Sequence, residues 1–299
     1  MDSEMDSDVH TDFMYKYLPI EVLAKGSYGQ VILAVRLHPS HRPSDQLQQS
    51  GEHVYKVGKK VAVKLILPPQ MKAGDIESQR RIDQEYQASM SHYLSEELYL
   101  KKLEHPHIVR LHESQREVGV SLPSYLQEAN LEDPKSLDYI LLESNLRMQE
   151  YLKDIMSIEY LTPAKLGDLY TNYERVSPSS YLVMDFAEKQ NLYSIIAYKP
   201  LSERAALFLF NQMVDALSYM HKKKLLGHRD LKPENILITE DFDIQLADFG
   251  FCCEILTRGD ANSSTRESII VKQNSSAQSK LHYQCLGTLS YMAPEVLEP

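Results

Sequence analysis

Charged and polar residues in the last third of the chain have the types and spacing needed for phosphate chemistry. They form the string His228-Arg-Asp-Leu-Lys-Pro-Glu-Asn235, which is followed after two short apolar runs by Asp248-Phe-Gly250. Asp230 can accept the proton of a hydroxyl group, while Lys232 can offset negative charge on a phosphoryl group during transfer. This string therefore predicts a phosphoryl-transfer site.

The two apolar runs lie on either side of an acidic turn and predict a β-hairpin after Asn235. If Ile236 pairs with Ala247, the antiparallel ladder places Asn235 opposite Asp248. An amide oxygen and a carboxylate are the oxygen ligands that Mg²⁺ prefers alongside nucleotide phosphates. The hairpin therefore predicts that Asn235 and Asp248 hold Mg²⁺.

Near the start of the chain, Gly26-Ser-Tyr-Gly29 lies between two predicted strands, where glycines let the backbone close over phosphates. A later apolar strand, 61–67, has Ala62 and Lys64 on one face because side chains alternate along a strand. A lysine held on a strand suits the α- and β-phosphates of a nucleotide, and the small Ala62 leaves room for a flat base.

Lys64 needs a carboxylate partner to fix its position, and the helix predicted to end near Leu103 offers Glu96 and Glu97. Glu96 has leucines four and seven residues later, which favours an inward direction. Glu97 has Lys101 four residues later and can form a surface pair. Glu96 is the preferred partner of Lys64, and Glu97 stays open as the alternative.

Taken together, these segments resemble the successive signatures of eukaryotic protein kinases. The resemblance implies an α+β, bilobal fold with an N-terminal lobe of antiparallel sheet plus one helix. It also implies a mainly helical C-terminal lobe that here lacks its last helices, because similar kinases continue with more helices after the last motif. The matching segments are Ala24-Lys-Gly26 to Gly29, Val61-Ala-Val-Lys64, His228 to Asn235, Asp248-Phe-Gly250 and Ala293-Pro-Glu295.

The same resemblance implies ATP and Mg²⁺ as cofactors and assigns roles to individual residues. The catalytic set is Asp230, Lys232, Lys64 and Glu96, and the metal ligands are Asn235 and Asp248. Lys232 and Thr288 resemble their counterparts in serine/threonine rather than tyrosine kinases. The residues implied to bind ATP are Ala24, Gly26, Gly29, Val31, Ala62, Lys64, Met184, Asp185, Ala187 and Leu237.

The predicted domain organisation has three parts. Residues 1–17 form an acidic flexible tail, and residues 18–184 form the N-terminal lobe with insertions near 38–60 and 114–180. Residues 185–299 form the incomplete C-terminal lobe with the catalytic loop and the activation segment. In that lobe a helix opening at Ser202 is predicted to bury the stripe Ala206, Phe210, Met213, Leu217 and Met220.

Composition narrows the class of partners. The formal net charge of -10, from 32 Lys+Arg against 42 Asp+Glu, argues against nucleic acid as a partner. The first residues lack the pattern of a secretory signal, and no apolar run is long enough to predict a membrane span. The 3 cysteines have neither a disulfide nor a zinc-ligand pattern. An intracellular location, cytoplasmic or nuclear, is predicted.

Two functions remain open at this point. The first is an ATP-dependent serine/threonine kinase that acts on a protein substrate. The alternative is a truncated, nucleotide-binding scaffold or decoy without turnover. In either case, a regulatory partner could cover the incomplete C-terminal lobe, since exposed apolar area favours partner binding.

Overall fold

The computed structural model describes residues 13–41, 53–69, 76–123, 153–162, 164–166, 173–255 and 287–297. Backbone contacts divide the chain into two compact units. The first comprises Met1–Ser89 and His112–Phe186, and the second comprises Met90–Leu111 and Ala187–Pro299.

The first unit is built around an antiparallel sheet. Its strand order is β1-β2-β3-β6-β4, and β5 pairs with β3 away from that path. Strands β1, β2, β3 and β6 pair antiparallel with their neighbours in that order. The elements are α1 (Phe13–Lys16), β1 (Tyr17–Gly26), β2 (Gly29–His41), β3 (His53–Ile66), α2 (Ile76–Leu100, divided between the units), β4 (Leu111–Pro123), β5 (Tyr160–Leu161) and β6 (Tyr173–Asp185).

The alternation predicted for the central strand β3 is confirmed. Val61, Val63 and Leu65 belong to one buried apolar cluster, together with residues of β2 and β6. Ala62 and Lys64 point to the opposite face, because successive side chains of a strand alternate. The apolar residues of β3 thus fix the face on which Lys64 lies.

Secondary structure extends into the predicted flexible tail, 1–17, and into the two predicted insertions, near 38–60 and 114–180. Phe13 and Tyr17 are buried in the same apolar cluster, where their rings lie 5.4 Å apart. Strands β2 and β3 include parts of 38–60, and β4 and β6 include parts of 114–180. Residues 1–12 of the predicted tail lie outside the described residues.

The described part of the second unit contains helices, two short strand pairs and two isolated β-bridges, one of which joins Asn191 to Leu237. Strand β8 pairs with β9, β7 pairs with β10, and Ile108 forms an isolated parallel bridge to Leu246 of β9. The elements are α3 (Leu192–Tyr198), α4 (Glu203–Ser218), a π-helix (Tyr219–Lys224), β7 (Leu226–Gly227), a 3-10 turn (Pro233–Asn235), β8 (Ile236–Ile238), β9 (Ile244–Leu246), β10 (Cys253–Glu254), a second 3-10 turn (Leu289–Tyr291) and α5 (Pro294–Leu297).

The predicted start of α4 is confirmed, but its predicted buried stripe is wrong at Ala206 and Phe210, which are exposed, and is confirmed at Met220. Ser202 caps the helix by accepting a hydrogen bond from the backbone N–H of Ala205. Phe210 is 54% exposed, whereas Met220, just after the helix, is fully buried. The side chain of Gln212 accepts a hydrogen bond from the Ile244 N–H of β9 at 2.8 Å. Gln212 rather than Phe210 therefore faces the hairpin.

The predicted hairpin is present, but its predicted register is wrong by one residue. Ile236 pairs with Leu246 rather than with Ala247. The Ala247 N–H donates to the Asn235 carbonyl at 2.9 Å. Asn235 therefore lies opposite Ala247, and Asp248 follows one residue further along the chain.

The turn of the hairpin sets that register. The Thr239 N–H donates to the Asp243 carbonyl at 2.9 Å, and the Phe242 N–H donates to the Thr239 carbonyl at 3.1 Å. Phe242 has a φ of 64°, so one residue of the turn is left-handed. Turn geometry determines hairpin register, and the apolar pattern alone could not distinguish the two pairings.

Among the described residues, no helix has both the length and the apolar character needed to cross a membrane.

Candidate active site

The loop after β7 is held in place by buried His228. The His228 Nε2 lies 3.1 Å from the Ala247 carbonyl, so this nitrogen donates. The ring centroids of His228 and Phe249 are 4.9 Å apart. Burial lowers the pKa of His228, although its hydrogen bond to Ala247 and nearby carboxylates oppose that effect. A neutral, donating His228 therefore connects the loop to the segment after β9.

Asp230 is the centre of a hydrogen-bond network in this loop. Its Oδ2 accepts from Lys232 Nζ and from Asn235 Nδ2, each at 2.9 Å. Its Oδ1 accepts from the N–H and the hydroxyl of Thr288, each at 2.9 Å. Lys232 Nζ also donates to the Thr288 hydroxyl oxygen at 2.7 Å. The structure therefore brings Asp230, Lys232 and Asn235 together, as the sequence predicts.

These partners control the ionisation of Asp230. Burial alone would raise the pKa of Asp230, but hydrogen bonds from Lys232 and Thr288 and the Lys232 charge outweigh burial and lower it. The carboxylate is thus ionised at neutral pH, the state in which it can accept a proton.

Two residues of the candidate site, Arg229 before Asp230 and Asp248 itself, have positive backbone φ angles. Arg229 has a φ of 66° and Asp248 a φ of 64°. Such conformations cost free energy and concentrate at functional sites. Gly287 has a φ of 112°, and a Cβ there would lie 2.7 Å from the Arg229 carbonyl. Glycine at 287 thus lets Thr288 approach Asp230.

Asp248 lies beside two residues of α2. Its Oδ1 is 3.2 Å from His92 Nε2. Glu96, the preferred carboxylate of the sequence analysis, accepts a long hydrogen bond of 3.4 Å from the Phe249 N–H. Glu97 pairs with Lys101 at 2.6 Å, as the i,i+4 spacing predicts, but the Glu97 side chain is buried rather than at the surface.

The donor set of Asn235 and Asp248 fits Mg²⁺. Asn235 Nδ2 donates to the Asp230 carbonyl at 2.8 Å as well as to its carboxylate. Because the nitrogen of the amide is used in this way, its oxygen is the atom that remains for a cation. An amide oxygen and a carboxylate are hard donors of the kind that Mg²⁺ prefers.

In the first unit, the residues predicted to bind nucleotide share one face of the sheet. Ala24 pairs with Val31, and Val31 pairs with Lys64. Ala62 pairs with Met184. Directly opposite residues of antiparallel strands point to the same side, and Ala62 and Lys64 are two residues apart. The five side chains therefore lie on the face opposite the apolar cluster.

The glycine turn joins β1 to β2, as predicted, and Gly26 pairs with Gly29. Gly29 has a φ of 125°, and a Cβ there would collide with the Leu65 carbonyl. At Gly26 a Cβ would meet nothing within 4 Å. The Oδ1 atom of Asp185, at the end of β6, lies within hydrogen-bond distance of His112 Nε2, at 2.7 Å.

Ala187 and Leu237 both belong to the second unit. The chain after Ala187 runs beside β8, where the Lys189 N–H donates to the Ile238 carbonyl at 3.0 Å and the Ile238 N–H donates to the Gln190 carbonyl at 2.8 Å. Leu237 forms an isolated antiparallel bridge with Asn191 beside these contacts, and Ala187 is buried.

Sequence reasoning missed His92 and the contact between Thr288 and Asp230. His92 is four residues before Glu96, so the two share a helix face, and this spacing is the signal that could have found it. Thr288 entered the sequence analysis only as a marker of kinase class. Thr288 and Asp230 are 58 residues apart in the sequence, so no local sequence pattern predicts their contact.

Comparison with known proteins shows which family the chain resembles in sequence. The family model described as protein kinase domain matches residues 141–299. A PAS domain-containing serine/threonine-protein kinase of Mus musculus is 33% identical over 174 residues, which are 58% of this chain and 10% of that protein. An eIF-2-alpha kinase of Schizosaccharomyces pombe is 34% identical over 175 residues, again 58% of this chain and 10% of that protein.

An Aurora kinase of Schizosaccharomyces pombe is 37% identical over 119 residues, which are 40% of this chain and 27% of that protein. The chain thus spans about a tenth of the first two relatives and about a quarter of the third. The family match confirms the predicted family and the α+β kinase-like fold, with its antiparallel sheet and helices. Because the matched segment makes up more than half of the chain and contains the Asp230 network, the chain belongs to the protein kinase family.

Proposed function

We propose that this chain is a protein serine/threonine kinase that transfers the γ-phosphate of ATP to a protein hydroxyl with the help of Mg²⁺. The observation that carries this proposal is the hydrogen-bonded carboxylate of Asp230 with Lys232 and Asn235 beside it. An ionised carboxylate beside an ammonium group supplies the two charges that phosphoryl transfer requires. One of the similar proteins, the PAS domain-containing kinase of Mus musculus, is named a serine/threonine-protein kinase, which supports the same class.

In the proposed reaction, Asp230 accepts the proton of the substrate hydroxyl. The hydroxyl oxygen forms a bond to the γ-phosphorus while the bond from that phosphorus to the β–γ bridging oxygen breaks, and ADP leaves. Lys232 offsets charge on the phosphoryl group. Lys64 contacts the α- and β-phosphates, and Glu96 positions Lys64. Asn235 and Asp248 supply oxygen ligands to the Mg²⁺ that accompanies ATP.

The remaining predicted ATP-binding residues have roles that suit their types. Gly26 and Gly29 would let backbone amides approach the phosphates. Met184, Asp185 and Ala187 would contact the adenine edge. Ala24 would lie at the phosphate-covering turn beside Gly26. The adenine plane would pack against apolar side chains, namely Val31, Ala62 and Leu237.

The test combines binding and turnover. The chain is incubated with γ-labelled ATP, Mg²⁺ and a generic serine- and threonine-containing protein, and labelled amino acids are identified after hydrolysis. Label on serine or threonine, lost in Asp248→Asn and Lys64→Met, supports the proposal. Thermal stabilisation by ATP and Mg²⁺ without transfer would instead favour a nucleotide-binding scaffold, and label on tyrosine alone would contradict the substrate class.

A further inference from the structure

Three side chains of different type meet at the C-terminal half of α2 in the second unit. His92 and Glu96 are one turn apart on the helix, and Asp248 follows β9. One potential ligand atom from each lies within 4.8 Å of the other two. Within the ranges that the structure describes, this is the one group of three such residues that could hold a metal ion.

Two of the three side chains are buried, and Asp248 is partly exposed. The side chain of His92 is 2% exposed, and Glu96 is 1% exposed. The His92 ring packs against the Phe251 ring with centroids 5.0 Å apart, and it occupies the space that a Cβ at Gly250 would need. These contacts hold the imidazole at Asp248, so a metal ion would meet ligands that are already oriented.

The ligand types indicate a transition-metal dication rather than Mg²⁺. Imidazole is a preferred ligand of Zn²⁺ and of copper, iron and nickel ions, whereas Mg²⁺ prefers oxygen ligands alone. Two ligand atoms bound to a tetrahedral Zn²⁺ at about 2.0–2.1 Å are about 3.4 Å apart. The distance of 3.2 Å between His92 Nε2 and Asp248 Oδ1 is close to that value. A tetrahedral Zn²⁺ ion held by one histidine and two carboxylates also has a fourth coordination position, which water can occupy.

We propose that His92, Glu96 and Asp248 form a Zn²⁺ site that regulates this chain. The regulatory part rests on the proposed kinase function, in which Asp248 binds Mg²⁺ and Glu96 positions Lys64. A Zn²⁺ ion on these carboxylates withdraws both from those roles, so zinc inhibits phosphate transfer. This site shares Asp248 with the proposed Mg²⁺ ligand pair but differs from it in its other ligands, which are His92 and Glu96 instead of Asn235.

The binding test uses the metal alone. Metal-free chain without nucleotide is titrated with ZnCl₂ in a calorimeter, and Co²⁺ serves as a spectroscopic probe of an imidazole-containing site. His92→Phe keeps an aromatic ring but removes the nitrogen ligand. We expect its Zn²⁺ affinity to fall by about 100-fold or more, because even residues that only support a metal ligand contribute about 10- to 100-fold.

The matched control is His105→Gln. His105 also contacts a carboxylate, with its Nε2 3.4 Å from Asp215 Oδ2, but it lies outside the group of three. This variant should bind Zn²⁺ as the wild type does. Equal Zn²⁺ affinity in the wild type, His92→Phe and His105→Gln overturns the site, and so does a wild type that binds no Zn²⁺ at micromolar concentration.

Because His92 is buried, His92→Phe could fail to fold, and a second variant therefore tests the site at a more exposed ligand. The carboxylate of Asp248 is 29% exposed, so Asp248→Asn is the safer substitution for the fold. It must also weaken Zn²⁺ binding, and unchanged affinity would overturn the proposal. The melting temperature of each metal-free variant shows whether it has folded.

Regulation is measured separately at a fixed concentration of ATP and Mg²⁺. Zn²⁺ should inhibit the wild type and His105→Gln at the same concentration, and His92→Phe at about 100-fold higher concentration. A chain that binds Zn²⁺ as described but transfers no phosphate contradicts the kinase proposal and leaves the site standing. A chain that transfers phosphate but binds no Zn²⁺ contradicts the site alone.

Discussion

At the residue scale, the surroundings of Asp230 explain how a buried carboxylate can stay ionised. Four hydrogen bonds reach its two oxygens, from Lys232, Asn235 and the N–H and hydroxyl of Thr288. Each substitution that removes a donor should therefore change the ionisation of Asp230. In the proposed reaction that ionisation determines the rate.

Thr288→Val removes the hydroxyl but keeps the shape of the side chain and the backbone N–H. Because the Thr288 hydroxyl helps to lower the pKa of Asp230, its loss should raise that pKa. A base acts only when it is deprotonated, so activity is lost as pH falls through its pKa. The acid limb of kcat/KM plotted against pH should therefore move to higher pH in Thr288→Val. Thr288→Ser should keep the wild-type limb, and an unmoved limb in Thr288→Val would contradict this account.

The two glycines of the β1–β2 turn should respond differently to alanine. Gly29→Ala places a Cβ against the Leu65 carbonyl at a φ of 125°, whereas Gly26→Ala meets open space. We expect Gly29→Ala to lower the free energy of unfolding by about 1–3 kcal/mol or more, as strained backbone conformations do. Gly26→Ala should stay within about 0.5 kcal/mol of the wild type. Urea unfolding of both variants checks this, and equal losses would contradict the geometry.

Residue types and their spacing predicted much of the candidate site. The string from His228 to Asp248 was sufficient to bring Asp230, Lys232 and Asn235 together, because they lie on one short loop. His92 was missed because a single histidine on a helix is more often a core residue than a ligand. Its neighbour Asp248 is distant along the chain, and only the fold reveals that contact.

Among the secondary-structure elements of the first unit, the half-buried carboxylate of Glu113 connects α1, β1, β4 and β6. Glu113 accepts hydrogen bonds from the Tyr17 hydroxyl at 2.7 Å, the Tyr181 hydroxyl at 3.0 Å and Lys16 Nζ at 3.0 Å. Burial alone would raise the pKa of Glu113, but these hydrogen bonds and the Lys16 charge outweigh burial and lower it. The ionised form of Glu113 thus stabilises the fold.

Glu113→Gln should therefore destabilise the chain at neutral pH by about 1–3 kcal/mol, because buried donors lose their charged acceptor. A carboxyl group whose folded pKa is lowered contributes its full stability above its unfolded pKa of about 4.3, and this contribution is lost as pH falls through the folded pKa. The difference in unfolding free energy between Glu113→Gln and the wild type should shrink below pH about 4.3.

The control for this prediction is Glu159→Gln, the same substitution at an exposed position. Denaturant unfolding of this variant should match the wild type at each pH. A difference between wild type and Glu113→Gln that stays constant with pH would contradict the role of the ionised carboxylate.

Elements were easier to predict from the sequence than their exact faces and registers. Alternation along β3 sufficed because its apolar residues are buried on one side of the sheet. The stripe of α4 was wrong at Phe210, and apolar periodicity gives no signal for the polar contact by which Gln212 faces the hairpin. The hairpin register was wrong because turn geometry, rather than the pattern of isoleucines and leucines, determines the pairing.

In the whole molecule, each of the two units has its own set of residues that could take part in phosphate chemistry. The first unit has the sheet face with Ala62 and Lys64, and the second has the loop with Asp230 and the segment with Asp248.

The predictions of a protein substrate, a regulatory partner and the absence of nucleic-acid binding stay predictions. The net charge of -10 remains the reason to expect no nucleic-acid partner.

The most direct measurement of the central claim is the rate of γ-phosphate transfer from labelled ATP by the wild type and by Asp230→Asn. The matched control is Asp241→Asn, which makes the same change at an exposed residue of the β8–β9 turn. We predict that Asp230→Asn lowers the rate by about 10²- to 10⁴-fold, the usual contribution of a general base, while Asp241→Asn keeps the wild-type rate. Equal rates in all three proteins would contradict the assignment of Asp230 as the base.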